Sequence, residues 1–206
     1  MKKLLLAAVL TFTVGSAFAQ REMLFGVKLG GNFSTILGGG TGGIMGKSGF
    51  HAGVTVDYGF NDELFLVSGL ELTRKGFKGE VSLYGLPVVK VTGNAYYVQL
   101  PIHLAYKFDV GLVKLVPELG PYFAYGIGGK MEAEADGLLG GAGDYFGDPK
   151  KGYCKAFDLG IGVAFGVELG RIGVKIGYDY GLLNIDFLDD YRNINGNLYL
   201  SVGCKF

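Results

Sequence analysis

The chain is 206 residues long, with 38 Gly, 13 Tyr, 15 Phe, no Trp, a mean hydropathy of +0.32 and no net charge from 19 basic and 19 acidic residues. The glycine follows no G-X-Y period, which excludes a collagen, and about half the residues are apolar, which excludes a disordered tail. No basic cluster follows the first three residues, so nucleic-acid binding has no electrostatic footing, and the length fits one large β domain.

The chain opens MKKLLLAAVLTFTVGSAFAQ. Lys2 and Lys3 give a positive start, Leu4 to Val14 an apolar run, and Ala17-Phe18-Ala19 a small-x-small cleavage pattern. The apolar run is too short for a membrane-spanning helix, which needs about 20 residues. Residues 1–19 therefore read as a cleavable signal peptide and 20–206 as the exported domain.

From Gln20 onward the dominant signal has period two. Tyr96, Val98, Leu100, Ile102, Leu104, Tyr106 and Phe108 share one face, against Tyr97, Gln99, Pro101, His103, Ala105 and Lys107 on the other. Only a strand with two unlike faces produces that split. The same alternation runs through 50–60, 153–168, 172–180 and 198–206, and less regularly through 23–33, 63–75 and 112–127. Pro117 and Pro121 sit on the apolar register of 112–127, which predicts bulges or bends there. Eight strands result.

Their connections alternate as well. Tight turns fall near Asn61-Asp62, Asp109 and Gly170, and longer loops span 34–46, 77–92, 128–152 and 181–195. Every tight turn then lies at one end of a barrel and every long loop at the other, the layout of an outer-membrane barrel. The fold expected is all-β: an eight-stranded, antiparallel, closed transmembrane β-barrel.

Volume decides which face is inside. An eight-stranded barrel has an interior just wide enough to be filled by side chains or to hold one small ligand. The apolar face carries far more Leu, Ile, Phe and Tyr than such an interior holds, whereas the other face is rich in Gly, Ala and Ser. Aromatics also cluster at the two ends of the apolar face, as membrane interfaces select. The apolar face therefore points at lipid, and a soluble ligand carrier is disfavoured.

The opening FGVKLGGNFS (Phe25 to Ser34), the central YYVQLPIHLAYKF (Tyr96 to Phe108) and the alternating last strand resemble the PorT-like family of outer-membrane β-barrels of Bacteroidetes. The resemblance covers essentially the whole exported chain and implies the up-and-down architecture of the small OmpA/OmpX-type barrels. The signal peptide, the two-faced strands and the terminal Phe206 together imply the outer membrane of a Gram-negative bacterium as the chain's location. Its expected partners are outer-membrane lipid, the barrel assembly machinery reading the terminal Phe206, and envelope proteins reaching the long loops. Some members of the family take part in protein secretion.

Catalytic and cofactor signatures are weak. GGGTGGIMGKS (Gly38 to Ser48) fails the P-loop spacing, because Thr41 stands where the first glycine is required. Glu132, Glu134, Asp136, Asp144 and Asp148 do not match a calcium loop and read as a solvated acidic surface. No GxSxG occurs, and both histidines are expected to face inward. No enzyme, metal or cofactor is expected. Cys154 and Cys204 fall at opposite ends and faces of the barrel, so no disulfide is expected.

The chemistry-bearing residues are the interior charges. The register places Lys28, Asp57, Glu71, His103, Lys107, Lys114, Glu118, Asp158, Glu168, Lys175, Asp179 and Lys205 inside. Charges removed from water must be paired. Glu71 and Glu118 fall at similar depth, with Lys28, His103 and Lys175 slightly below; with Lys114 these are expected to form an interior network that plugs the barrel. The function expected is structural or interaction-based in the envelope. The alternatives are a narrow pore or secretion component, and a lipid-modifying enzyme.

Overall fold

The structure, a computed structural model, describes residues 23–38, 44–81, 89–135, 138–147, 152–186 and 192–206. The expected signal peptide lies outside the described residues, as do Asp136, Asp148 and parts of the four long connections. The strands are β1 (Met23–Gly38), β2 (Ile44–Gly59), β3 (Leu64–Val81), β4 (Val89–Tyr106), β5 (Phe108–Asp109), β6 (Lys114–Ala135), β7 (Leu138–Phe146), β8 (Gly152–Cys154), β9 (Phe157–Leu169), β10 (Ile172–Gly181) and β11 (Asn193–Lys205). Eight of them, β1-β2-β3-β4-β6-β9-β10-β11, form an antiparallel ring that closes where β11 pairs β1 from Lys205↔Gly26 to Asn193↔Gly38. Closure leaves the ring no edge, the condition for crossing hydrocarbon with strands.

The tight turns have local causes. Asn61 Oδ1 accepts the backbone N–H groups of Glu63 and Leu64 between β2 and β3. Gly170, at φ +58°, makes the two-residue turn from Leu169 to Ile172, where a side chain would be strained. Gly111, at φ +97°, does the same between β5 and β6 while donating to Asp109 Oδ1.

Along the turn half of the ring the faces are as the sequence predicts. Phe25, Val54, Leu70, Leu104, Leu119, Val163, Ile176 and Leu200 are exposed outward, while Asp57, Glu71, Gln99, His103, Glu118 and Ser201 are buried within. On β4 the apolar outer face runs from Tyr106 to Tyr96, about the 9–11 residues a tilted strand needs to cross a bilayer.

The upper half corrects the expected boundaries. Much of 34–46, 77–92 and 128–152, expected as loop, is strand: β1 reaches Gly38, β3 reaches Val81, β4 begins at Val89 and β6 reaches Ala135. The period-two pattern continues there with its sign reversed. Lys78, Glu80, Lys90, Lys130, Glu132 and Glu134 are exposed, while Phe77 is buried and Ile36, Ile44, Val91 and Met131 pack inward with it. Water surrounds this collar where lipid surrounds the band below, so charge goes out and apolar surface goes in. A search for one continuous apolar register cannot see a strand whose register inverts.

Two bulges mark the inversion. On β2 the ladder to β3 shifts between Gly46 and His51; on β6, Ile127 is extra, since Tyr97 faces Gly126 and Tyr96 faces Gly128. One inserted residue exchanges the two faces of a strand. At the first bulge, Asn32 donates to the Arg74 carbonyl at 2.9 Å, and Ser34 Oγ donates to the Gly76 carbonyl at 3.1 Å and accepts its N–H at 2.7 Å. Two β1 side chains thus repair the ladder that β2 leaves open. Of the bulges or bends expected at Pro117 and Pro121, no bulge occurs against β9, where the register runs unbroken through both. The ladder to β4 instead skips two rungs between Pro101↔Tyr122 and Leu104↔Leu119, where Pro121 has no N–H to give.

Candidate functional site in the barrel lumen

Four polar tiers and an aromatic cap fill the lumen. In the lowest tier, Asp57 accepts from Lys107 at 3.3 Å and from Lys205 at 2.5 Å, and Glu168 pairs with both lysines. The Lys107 ammonium also lies 3.6 Å from the Phe65 ring centroid, a cation–π contact that replaces part of its lost hydration.

The next tier holds five of the six residues expected to form a network. Lys28 bonds Glu71 at 2.9 Å, Lys175 bonds Glu118 at 2.5 Å, and His103 Nδ1 lies 3.5 Å from the other Glu118 oxygen. Glu71, His103 and Glu118 are buried. Lys114 is not in the network: it is exposed and pairs along the ladder with Glu168 and Asp109. Its register is inward as expected, but it is not part of the network. It opens β6 at the barrel mouth, where water solvates an ammonium without a partner.

Above these, Asp179 accepts from Gln99 at 3.0 Å and Asn197 at 3.3 Å, and Asn32 donates to Asn197 at 2.9 Å. Nearby, His51 Nε2 and Ser201 Oγ share a 2.7 Å hydrogen bond, Ser201 pairing along the ladder with Lys175. A Ser–His pair is the signature sought for a hydrolase, yet both residues are over nine-tenths buried and face the lumen. Among the described hydrogen bonds no carboxylate orients the ring.

The fourth tier centres on Asp158, which accepts from Tyr122 at 3.2 Å and Asn195 at 2.9 Å, with the Lys75 ammonium 3.9 Å away. Lys75 is 2% exposed and sits 5.2 and 4.9 Å from the Tyr97 and Tyr122 ring centroids. Sequence reasoning missed it, because the expected third strand stopped at this residue. The signal was present: Glu71, Thr73 and Lys75 continue one face.

The cap belongs to β7. Tyr145 is buried against Phe77, with centroids 6.3 Å apart, and Phe146 packs edge-on to Tyr97 at 5.1 Å. A Cβ at Gly93 or Gly126 would collide with these rings, so the missing side chains form the cradle. Cys154 is buried in the same cluster, and burial pushes its thiol up to about 12. Cys204 is exposed on the outer face near the opposite end; both thiols are free.

Two cavities inside the charged tiers are about 50 Å³ beside Asp57, Lys175 and Lys205, and about 10 Å³ beside Glu71 and Glu118. These two hold water at most. One of about 460 Å³ opens at the turn end beside Lys107, Glu168 and Lys205 and is not closed off by the tiers above. Of the acidic loop residues, Glu132 and Glu134 lie on β6 and Asp144 on β7; among the described residues no group of three or more His, Cys, Asp or Glu is arranged to hold a metal.

Residues 18–187 match the family model described as outer membrane protein beta-barrel domain. Among solved structures, the chain is similar to Ail, the attachment invasion locus protein of Yersinia pestis (16% identity over 90% of this chain and 99% of that one, TM-score 0.43). It is also similar to Neisserial surface protein A (19% identity, 88% and 97% coverage, TM-score 0.42). A third is OprG from Pseudomonas aeruginosa (12% identity, 90% and 97% coverage, TM-score 0.38). No curated protein matches the sequence.

Proposed function

Because the chain belongs to the outer membrane protein beta-barrel domain family, we propose that it is a closed envelope protein, anchoring an extracellular collar rather than conducting solute. The observation that carries this reading is the filled lumen: ion pairs across two tiers, hydrogen bonds across two more, then an aromatic cap. Opening a path would separate several buried charge pairs at once, and breaking one such pair costs about 3–5 kcal/mol.

The finer identity rests on sequence. FGVKLGGNFS and YYVQLPIHLAYKF favour a PorT-like protein of Bacteroidetes, and the opening residues favour export by a peptide cleaved after residue 19. Partners follow from the same reading: the assembly machinery at Phe206, which is exposed at the turn end, and envelope proteins at the collar. The burial of His51 and Ser201 supports a structural role for that pair and no enzyme activity.

Purified protein reconstituted into planar bilayers tests the reading. We expect no steady conductance from the wild type, together with an SDS-resistant form that shifts in mobility only on boiling. Stable channels at wild-type sequence would favour the pore or secretion-component alternative. The Asp57→Ala variant sharpens the assay, since a lumen sealed by ion pairs is most easily opened there.

A further inference from the structure

We infer that Lys47, Arg74 and Lys78 form a docking site for the phosphate groups of an anionic glycolipid in the outer leaflet. Arg74 and Lys78 are outward positions on β3, two residues either side of Gly76. Gly76 has no side chain, and the stem of Lys47 from β2 lies where one would stand, its Cδ 3.3 Å from an ideal Cβ. Three cations from two strands are thereby gathered on one face, close enough for Lys47 to feel both neighbours. Like charges held together without a salt-bridge partner cost energy in an isolated protein and are relieved by a bound anion.

No acid forms an ion pair with them among the described residues. Burial, Arg74 and Lys78 lower the Lys47 pKa, outweighing the upward pull of Glu132, so the net direction is down. Arg74 donates to the neutral Asn94 at 2.8 Å and lies 6.0 Å from the Tyr96 ring centroid, and no ion pair is formed by Lys47 or Lys78. The collar does carry acids on this face, and Glu132 is within electrostatic reach of Lys47 without pairing with it. Glu80 lies two rungs above Lys78 and faces Lys90, while Glu132 and Glu134 are on β6, beyond β4. The rungs nearest the membrane are thus basic and those above are mixed.

Height selects lipid over a soluble anion. The last apolar rung is Ala52-Leu72-Val98, and Arg74-Tyr96 is the next on the same face. With about 3.3 Å per residue along a strand tilted by about 40°, Arg74 stands about 5 Å above Leu72 and Lys78 about 15 Å above it. Long side chains bring the ammonium groups back toward the headgroup layer. Phosphates there meet a bidentate guanidinium flanked by two point charges.

The inference rests on the orientation that puts the collar outside the cell. Native mass spectrometry of the full-length protein, released from detergent with diphosphoryl lipid A or the same lipid dephosphorylated, tests the site. The wild type is expected to retain the diphosphoryl form at least tenfold better. The Lys47→Gln/Arg74→Gln/Lys78→Gln variant is expected to lose that preference, and Lys90→Gln/Lys130→Gln to keep it. No preference in the wild type, an unchanged preference in the triple variant, or equal loss in the control would each overturn the site. Orientation is read separately. A Glu80→Cys label site in a Cys204→Ser background should react with an impermeant maleimide on intact cells. Its failure to react would overturn the orientation, and the leaflet assignment with it, whatever the lipid preference.

Discussion

Within the membrane band the barrel is apolar outside and charged inside; a few residues higher, on the same strands, it is charged outside and aromatic inside. β3 shows both regimes, with Leu70 and Leu72 outward over Glu71 and Thr73, then Lys78 and Glu80 outward over Phe77. The polypeptide has not changed conformation between them, only solvent. A strand's pattern therefore reports what surrounds it as much as what it is, and the bulges on β2 and β6 stand where the surroundings change. The band is held by pairs that tolerate no missing partner, the collar by packing that degrades locally.

Removing one acid from the band tests the first half of that contrast. Asp57→Ala leaves Lys107 and Lys205 sharing only Glu168, and Glu118→Ala leaves Lys175 and His103 without their carboxylate. Each should destabilise the barrel by about 3–5 kcal/mol, read as a lower temperature for the loss of SDS resistance. Glu71→Ala should cost less than Asp57→Ala, because Lys28 is less deeply buried than Lys107 and can turn toward water. An unshifted Glu118→Ala barrel would show that the tiers are space-filling and not electrostatic.

The cap should behave differently. Tyr145→Ala removes a ring packed against Phe77 and Phe146, a truncation worth about 3–5 kcal/mol to whatever unit contains it. If the collar is that unit, limited proteolysis should cleave β7 while the heat-shift midpoint stays near wild type. A midpoint that falls as far as in Asp57→Ala would merge the two regions into one cooperative body.

Cys154 reports on the same cap by chemistry. With its thiol held near 12, the reactive thiolate is scarce at pH 8, and steric burial compounds the effect. Alkylation by a maleimide should be at least a hundredfold slower than for a free thiol in the native barrel and reach ordinary rates after Tyr145→Ala. Equal rates in the two proteins would mean that β7 does not shield the upper lumen.

The legible part of this molecule was the band. Its strands cross a uniform solvent, so one register runs through each, and Glu71, Glu118, Lys28, His103 and Lys175 could be placed by counting from the turns. Lys75 and Phe77 could not, since they stand where the outward pattern fades from Leu72 to Arg74 and Gly76. The cap was illegible for another reason. Tyr145 follows GLLGGAGD, a stretch with no period, and its destination is set by glycines at 93 and 126 that are far away in sequence. The Ser201–His51 contact joins residues 150 apart, and no local spacing announces it.

Two small effects mark the limits of the band's sensitivity. Ser201→Ala deletes one hydrogen bond and leaves the buried His51 nitrogen unmet, which should cost about 1–3 kcal/mol. Lys114→Ala should cost less than about 0.5 kcal/mol, although Lys114 shares the inward register of Glu118. Its ammonium already faces water at the mouth, so no buried charge is left behind when it goes, and its removal takes away no pair that the lumen uses. If Lys114→Ala instead lowered the heat-shift midpoint as far as Glu118→Ala, the electrostatic network would have to extend to the mouth. The boundary between paired and hydrated charge would then lie below β6's first residue, not above it.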